Sequence, residues 1–368
     1  MEKNTRSQTI DILRGIGIVL VVLGHGIQFA NGADYQNSGQ VFEDPIFRLI
    51  YGFHMPFFLL LGGFLASYSL TARTWREEIC RKFLQLGIPI AVWGTIEFVC
   101  KCATEGFELR PHLFVSWVRF CLTNNWFLWA VLVSYAVVGI GHYALRDHWL
   151  YYAAVLALMF VTTDDFNLKL CKYVFPFFLI SYLYARYYKG RIGRDVVGGN
   201  RMSIVLAASM TAYFLLLRGF HTDAYIYISG FTVLGKDCAL RQIALDVYRF
   251  VLGLSGSLAL VLIVNVREKM PNPRMEKTSG IWAVVRKILI RFGQDSIGIY
   301  LISGVLFQYA FRYLAAWDFS YLRTLAVTAV MLAGCDGVYL LACRNKAAAL
   351  LLFGRDKDLL RCFAQRVQ

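Results

Sequence analysis

The sequence predicts an all-α integral membrane protein, a bundle of about ten transmembrane helices with both termini cytoplasmic. Three observations predict it. Hydrophobic residues make up 58% of the 368-residue chain and charged residues only 17%, against roughly 25% charged in soluble domains. The apolar residues gather into runs close to the ~20 residues that cross a hydrocarbon core. The charges are confined to the connections and alternate, with about 25 Lys and Arg on one side against about 4 on the other, which is the signature of cytoplasmic loops. The net charge of +14 therefore reads as topology, and no nucleic-acid partner is expected.

The spans fall at roughly 12–30, 46–70, 84–103, 126–144, 149–163, 171–187, 203–218, 239–266, 293–314 and 321–343. Basic connections at the N-terminus, Arg73–Lys82, Arg146, Arg186–Arg201, Arg267–Arg291 and from Arg344 alternate with acidic or neutral ones such as Asp34–Asp44, Glu105–Glu108 and Asp164–Asp165. The run Leu113–Leu122 is too short to span and is expected to be re-entrant or interfacial. Residues 1–343 thus form one polytopic transmembrane domain and 344–368 a basic cytoplasmic tail. In that tail Leu350–Phe353 and Leu359–Leu360 mix with Arg355, Lys357 and Arg361, as in a helix lying on the inner surface. The first run is read as a span and not as a signal peptide, because Arg14 interrupts its start and no small-x-small cleavage site follows. The nine cysteines are scattered with no Cys-x-x-Cys pair, so neither a zinc site nor a disulfide framework is expected, and no metal.

The first span carries an acid, a base and an imidazole: Asp11, Arg14 and His25. Arg14 and His25 are eleven steps apart, which closes to within about 20° of three helical turns and leaves them on one face, about 16 Å apart along the axis. Charge at membrane depth is costly and usually lines a pathway or cavity. Asp11 and Arg14 fit equally well as interfacial anchors at a helix end. His25, deeper in the helix, has two readings: a general base that takes a proton from a hydroxyl, or a structural histidine hydrogen-bonded inside the bundle.

Asp11-x-x-Arg14-Gly15, an apolar stretch and then Val21-x-x-Gly24-His25 resemble the opening of the membrane acyltransferase-3 family, which includes fucose O-acetylases and bacterial polysaccharide O-acetyltransferases. Phe53-His54-Met55-Pro56 through Gly63-Phe64, and Asn125-Trp126-Phe127-Leu128, resemble its next signatures in the expected order. Gly293 through Ser303 resembles a later pattern, Gly-x-x-Ser then Tyr-Leu-x-His. The resemblance covers the first third of the chain well. It implies a transmembrane acyltransferase-like domain, multi-pass in a bacterial plasma (inner) membrane. It also implies acetyl-CoA or another acyl-CoA as donor substrate, no bound cofactor, and a glycan or lipid-linked sugar as acceptor. It makes His25 the residue essential for transfer and Arg14 functionally required, with Asp11 beside them.

The remaining candidates rank lower. His54 is a second-rank functional residue or a packing residue; Trp126 shapes the acceptor side or belongs to an aromatic belt. The resemblance places the donor site at a basic-x-x-Arg motif ahead of Pro89. Here it reads Lys82-x-x-Gln85, so glutamine stands where arginine is expected, with Arg81 as the neighbour able to compensate. Gly62 replaces the family's serine and Ser303 its histidine. Glu97 with Lys101, and Asp246 with Arg249, are spaced to pair within their helices, whereas Asp336 has no local partner. Two readings from other classes fit the composition: a transporter whose buried charges form a solute or proton path, and a non-catalytic membrane protein, for which the lost arginine and histidine would speak. The absence of an internal repeat counts against the transporter.

Overall fold

The computed structural model describes residues 8–31, 35, 38–105, 113–188, 200–269, 280–311 and 318–355. Among them there is helix and no strand. Seven helices are long and apolar enough to cross a membrane: Gln8–Phe29, Pro45–Thr71, Trp75–Glu105, Trp126–Leu145, Leu168–Tyr188, Ala239–Glu268 and Tyr321–Ala342. Shorter apolar helices occupy Leu113–Thr123, Trp149–Val161, Met202–Arg218 and Ser296–Phe311. With this content the chain is an integral membrane protein. Asp34, Glu108, Lys357, Leu359, Leu360 and Arg361 of the sequence reading lie outside the described residues.

The chain divides into two compact units. The first is made of Met1–Phe58, Val196–Arg218 and Leu252–Leu340, and the second of Leu59–Asp195, Gly219–Val251 and Leu341–Gln368.

In the first unit the central element is α1, Gln8–Phe29. It is buried on most sides, including Asp11, Ile12, Leu13, Val21, Val22 and Ile27, as expected of a helix apolar nearly all round. Next comes the expected second span, Pro45–Thr71, whose helix is interrupted at Gly52-Phe53 between α2 (Pro45–Tyr51) and α3 (His54–Thr71). The break at Gly52-Phe53 follows from Pro56. A proline lacks the N–H that its fourth preceding carbonyl would receive, and its ring clashes with that carbonyl, here Gly52. The basic connection expected over Arg267–Arg291 instead ends in a helix, α12 (Ile281–Gln294); Asp295 leaves the helical region, and α13 (Ser296–Val305) begins three residues into the expected ninth span.

α1 and α12 cross with their backbones in contact. A Cβ added to Gly15 would lie 2.0 Å from the Leu289 carbonyl oxygen, and one added to Gly293 would lie 1.8 Å from that of Asp11. Both obstacles are main chain and cannot rotate away. Small residues at such crossings let helices approach closely enough for dispersion to hold them without a hydrophobic driving force. At its far end α1 is closed by Asn31, whose amide donates to the Gly26 and Ile27 carbonyls and to Thr324 Oγ1 at 3.3, 3.1 and 3.1 Å. Thr324 belongs to α14 (Tyr321–Ala342).

In the second unit, α4 (Trp75–Lys82) is helical where a loop was expected. Thr74 and Glu77 form a reciprocal capping box, a signal legible in the sequence. A π-helical turn, Phe83–Gly87, leads into α5 (Ile88–Glu105). Pro89 cannot donate to Gln85, its fourth preceding residue, and the wider turn sits at that gap. The short run Leu113–Thr123, α6, packs on α5 where Gly94 meets Cys121 and Trp117 donates to Thr95. Gly63 lies on the Phe178 carbonyl, so a Cβ there would be 2.0 Å from it, the close approach expected of the Gly62-Gly63 pair. The tail begins as a helix, Lys346–Phe353, whose Leu352 carbonyl accepts from the Trp93 indole at 2.7 Å.

Two polar clusters tie this unit together. Arg249 is buried and donates to Asp246 at 2.6 Å and to the Ala224, Gly230 and Asp223 carbonyls, so the expected Asp246–Arg249 pair forms. Lys101, by contrast, pairs with Glu105 at 3.8 Å, while Glu97 accepts from the Asn124 amide. At the connection 145–149, Asp147 accepts from Tyr152, Tyr187, Tyr182 and His142 at 2.7, 2.9, 3.0 and 3.1 Å. Burial pushes the Asp147 carboxyl up, but these four bonds outweigh it and hold the group below the usual carboxylate range.

Two outcomes are expected. Gly293→Leu forces a side chain into the Asp11 carbonyl, and such overpacking costs at least about 1–3 kcal/mol. A lower melting temperature and reduced monodisperse yield by fluorescence-detected size exclusion would register it. The depressed Asp147 value contributes stability at neutral pH that is lost as pH falls through it. Asp147→Asn should flatten the acid limb of a melting-temperature profile measured below about pH 4.

Candidate active site

α1 positions three of the predicted residues on one unbroken helix. Asp11 is 2% exposed and its Oδ2 accepts from the Gln294 amide at 3.1 Å. Arg14 and His25 are both partly exposed, and their eleven-residue spacing keeps them about 16 Å apart along the axis. The structure therefore gathers Asp11, Gln294 and the glycine crossing at one end of α1 and His25 towards the other.

His25 sits among aromatic edges. The rings of Phe29 and Phe307 meet it at 5.9 and 6.2 Å between centroids, inclined at 64° and 71°. Phe307 belongs to the π-helical turn Leu306–Phe311 that ends α13 (Ser296–Val305). Such turns recur at functional sites. The Nδ1 atom of His25 is buried and has no hydrogen-bond partner. Buried polar atoms are nearly always paired, so an unpaired ring nitrogen calls for an explanation.

His54 is held differently. The break before α3 leaves the Ile50 carbonyl to receive the Phe53 N–H at 3.3 Å and the His54 ring Nδ1 at 3.0 Å. A carbonyl only accepts, so Nδ1 carries the proton and the lone pair is on Nε2. The Tyr51 ring packs at 5.6 Å from the imidazole. The Ile50 carbonyl thus assigns the tautomer of His54.

Elsewhere in this unit Ser303 is fully buried and its hydroxyl donates to the Tyr300 carbonyl at 3.2 Å. The position where an imidazole was expected is filled by a side chain satisfied within its own helix. Asp336 has a partner invisible at short range in the sequence: Arg291 of α12, at 2.6 Å.

The predicted donor residues lie in the second unit. Arg81 grips Glu78 with two parallel bonds, Nε to Oε2 at 2.9 Å and Nη2 to Oε1 at 2.6 Å. Lys82 lies 3.9 Å from the same carboxylate and 3.6 Å above the Tyr135 ring. Gln85 is part-buried in the π turn, and its carbonyl is covered by Gly354, where a Cβ would lie 2.4 Å away. Trp126 packs on a cluster of Leu170, Ile226 and Phe231. Among the described residues no group of three or more His, Cys, Asp or Glu is disposed to hold a metal ion.

The residues that sequence reasoning missed are Gln294, Phe307, Glu78 and Tyr135. Glu78 alone had a local signal, its spacing of three and four to Arg81 and Lys82. The others arrive from distant segments.

These features define a membrane-embedded protein with ionisable groups on its first helix and a basic segment at the head of its third. The family model described as an acyltransferase domain matches residues 8–342, and the chain belongs to this acyltransferase-3 family. The match reaches well past the first third, to which the sequence resemblance was strongest. The chain is thus a membrane acyltransferase-family protein. It is 24% identical over 314 residues to the nodulation protein NolL of Mesorhizobium japonicum, covering 83% of this chain and 78% of the relative. It is 26% identical over 315 residues to NolL of Sinorhizobium fredii, covering 83% and 79%. No solved structure matches the chain.

The His54 geometry gives a stability prediction. His54→Asn keeps a side-chain N–H able to reach the Ile50 carbonyl and should melt close to wild type. His54→Leu removes the donor and should lose about 1–3 kcal/mol, seen as a lower melting temperature in detergent.

Proposed function

We propose that the protein is an O-acyltransferase that moves an acetyl group from acetyl-CoA to a hydroxyl of a cell-surface glycan or its lipid-linked precursor. His25 is its general base. The protein crosses a bacterial plasma (inner) membrane ten times, with both termini cytoplasmic; the basic-versus-neutral alternation of the connections supports this count. The bilayer, the acyl-CoA and the sugar acceptor are its partners, and it uses no bound cofactor.

In this reading an imidazole nitrogen of His25 takes the proton of the acceptor hydroxyl as that oxygen attacks the thioester carbonyl. The tetrahedral oxyanion collapses to the ester, and the C–S bond breaks. The departing thiolate takes the proton from the imidazolium, which restores the base. Arg14 sits too far along α1 from His25 for both to contact one small group. Its guanidinium suits an anionic part of the donor or the hold of the helix itself, with Asp11 fixing that end through Gln294. Arg81, Lys82 and Gln85 serve the donor, Arg81 and Lys82 with charge and Gln85 with hydrogen bonds. His54 and Trp126 stand second to these.

The observation that carries the reading is the His25 ring itself. A structural histidine spends its nitrogens on hydrogen bonds, as His54 does with Ile50. His25 keeps a buried Nδ1 unbonded, on the helix that bears the family's first signature, in a chain matched by the family model along nearly all its length.

His25→Ala should lower acetyl transfer by about a hundredfold or more at unchanged membrane level. The measurement is mass spectrometry of surface polysaccharide from cells carrying either form. Equal acetylation by both would remove His25 from the role of base. No acetyl added by the wild-type chain would overturn the enzyme reading and turn attention to solute flux in proteoliposomes.

A further inference from the structure

Glu78 is the most completely buried charge in the basic segment of the second unit, 3% exposed, and every cation near it faces it. Arg81 holds it bidentately, Arg73 lies at 3.8 Å and Lys82 at 3.9 Å. Its own helix begins at a capping box that involves Glu77 and not Glu78, so Glu78 is not needed to start α4. The segment leading in is pinned separately, by Tyr143 donating to the Leu70 and Arg73 carbonyls at 2.9 and 3.0 Å.

We infer that Glu78 is a positioning residue for donor binding: it fixes Arg81, and with it Arg73 and Lys82, as a cradle for the phosphates of a coenzyme A thioester. This rests on the donor reading of Arg81 and Lys82 given above. A guanidinium has five N–H donors in a rigid fork. Glu78 occupies the edge formed by Nε and Nη2 and leaves the Nη1 end for a phosphate. The Arg81 and Lys82 side chains remain 22% and 14% exposed, and Arg73 39%, so an anion has access to all three. Lys82 is fixed from a second direction by the Tyr135 face. With one carboxylate among three cations the group stays net positive. Long basic side chains carry about 2 kcal/mol of rotamer entropy each, and holding them beforehand spares that loss when the donor binds.

The proposal has a sign that simple electrostatics does not share. Glu78→Gln removes a negative charge and makes the segment more positive, which by charge alone tightens binding of an anion. If Glu78 positions Arg81, the same change weakens it.

The test is equilibrium binding of coenzyme A to the full chain in nanodiscs, with 3′-dephospho-coenzyme A as a second probe. Glu78→Gln is expected to weaken coenzyme A binding about tenfold, the worth of one charge-assisted contact. In an Arg81→Gln background, itself weakened, Glu78→Gln should cost clearly less than it does alone, because its effect through Arg81 is already gone. Unchanged or tighter binding by Glu78→Gln overturns the proposal, as does a full additional loss in the double variant. If Glu78→Gln does not accumulate, Arg81→Lys replaces it: the charge stays, the fork is lost, and wild-type affinity there overturns the proposal equally. Failure of the donor reading looks different. In that case the wild-type chain binds neither coenzyme A nor its dephospho form, or Arg81→Gln binds as well as wild type.

Discussion

A polar atom removed from water inside a membrane protein must find its partner in the protein itself, and the arrangement of this chain follows from that constraint. Arg249 spends its guanidinium on Asp246 and on three carbonyls of one loop. Asp147 collects three phenols and an imidazole. Asp11 takes the Gln294 amide, and Asn31 closes the end of its own helix while reaching Thr324. The Nδ1 of His25 is one of the few buried side-chain atoms among the described residues that lack a hydrogen-bond partner. Its neighbours show that the fold can satisfy buried polar atoms, which is why an unsatisfied one carries information.

Pro56 and Pro89 each remove a main-chain hydrogen bond beside a candidate residue. Pro56 leaves a break in which a carbonyl is shared between a main-chain N–H and the His54 ring. Pro89 coincides with the π turn that holds Gln85. In both, an element the sequence presents as a plain hydrophobic span is interrupted next to a residue singled out for chemistry. Irregular backbone at membrane depth is tolerated where protein surrounds it or where a cavity is lined.

Much of the architecture was legible from hydropathy and charge, because a bilayer imposes length and polarity on each span more strictly than water does. The positions of the helices follow the expected spans closely. The departures are local: Pro56 interrupts the helix of the second span, a capping box starts a helix in the Arg73–Lys82 loop, and α12 fills the end of the Arg267–Arg291 connection. Candidate residues on α1 were legible because helical periodicity alone places Arg14 and His25 on one face. Their surroundings were not. Gln294 reaches Asp11 across 283 positions, Phe307 approaches His25 from the far end of the chain, and Arg291 pairs with Asp336 from another helix. Pairing between Glu97 and Lys101 failed for the same reason: a loop residue, Asn124, supplied a closer partner for the carboxylate.

The glycine crossing of α1 with α12 has a consequence for biogenesis. α1 leaves the ribosome well before Leu289 and Gly293, on which it rests. Until they arrive, the first helix waits in the bilayer with a bare glycine face and with Asp11 lacking Gln294. Contacts of such long sequence separation form late and slowly, and unfinished chains expose what they will later cover. The packing around α1 is therefore completed late, and a chain cut short before α12 would leave Asp11 without Gln294 and Gly15 without Leu289.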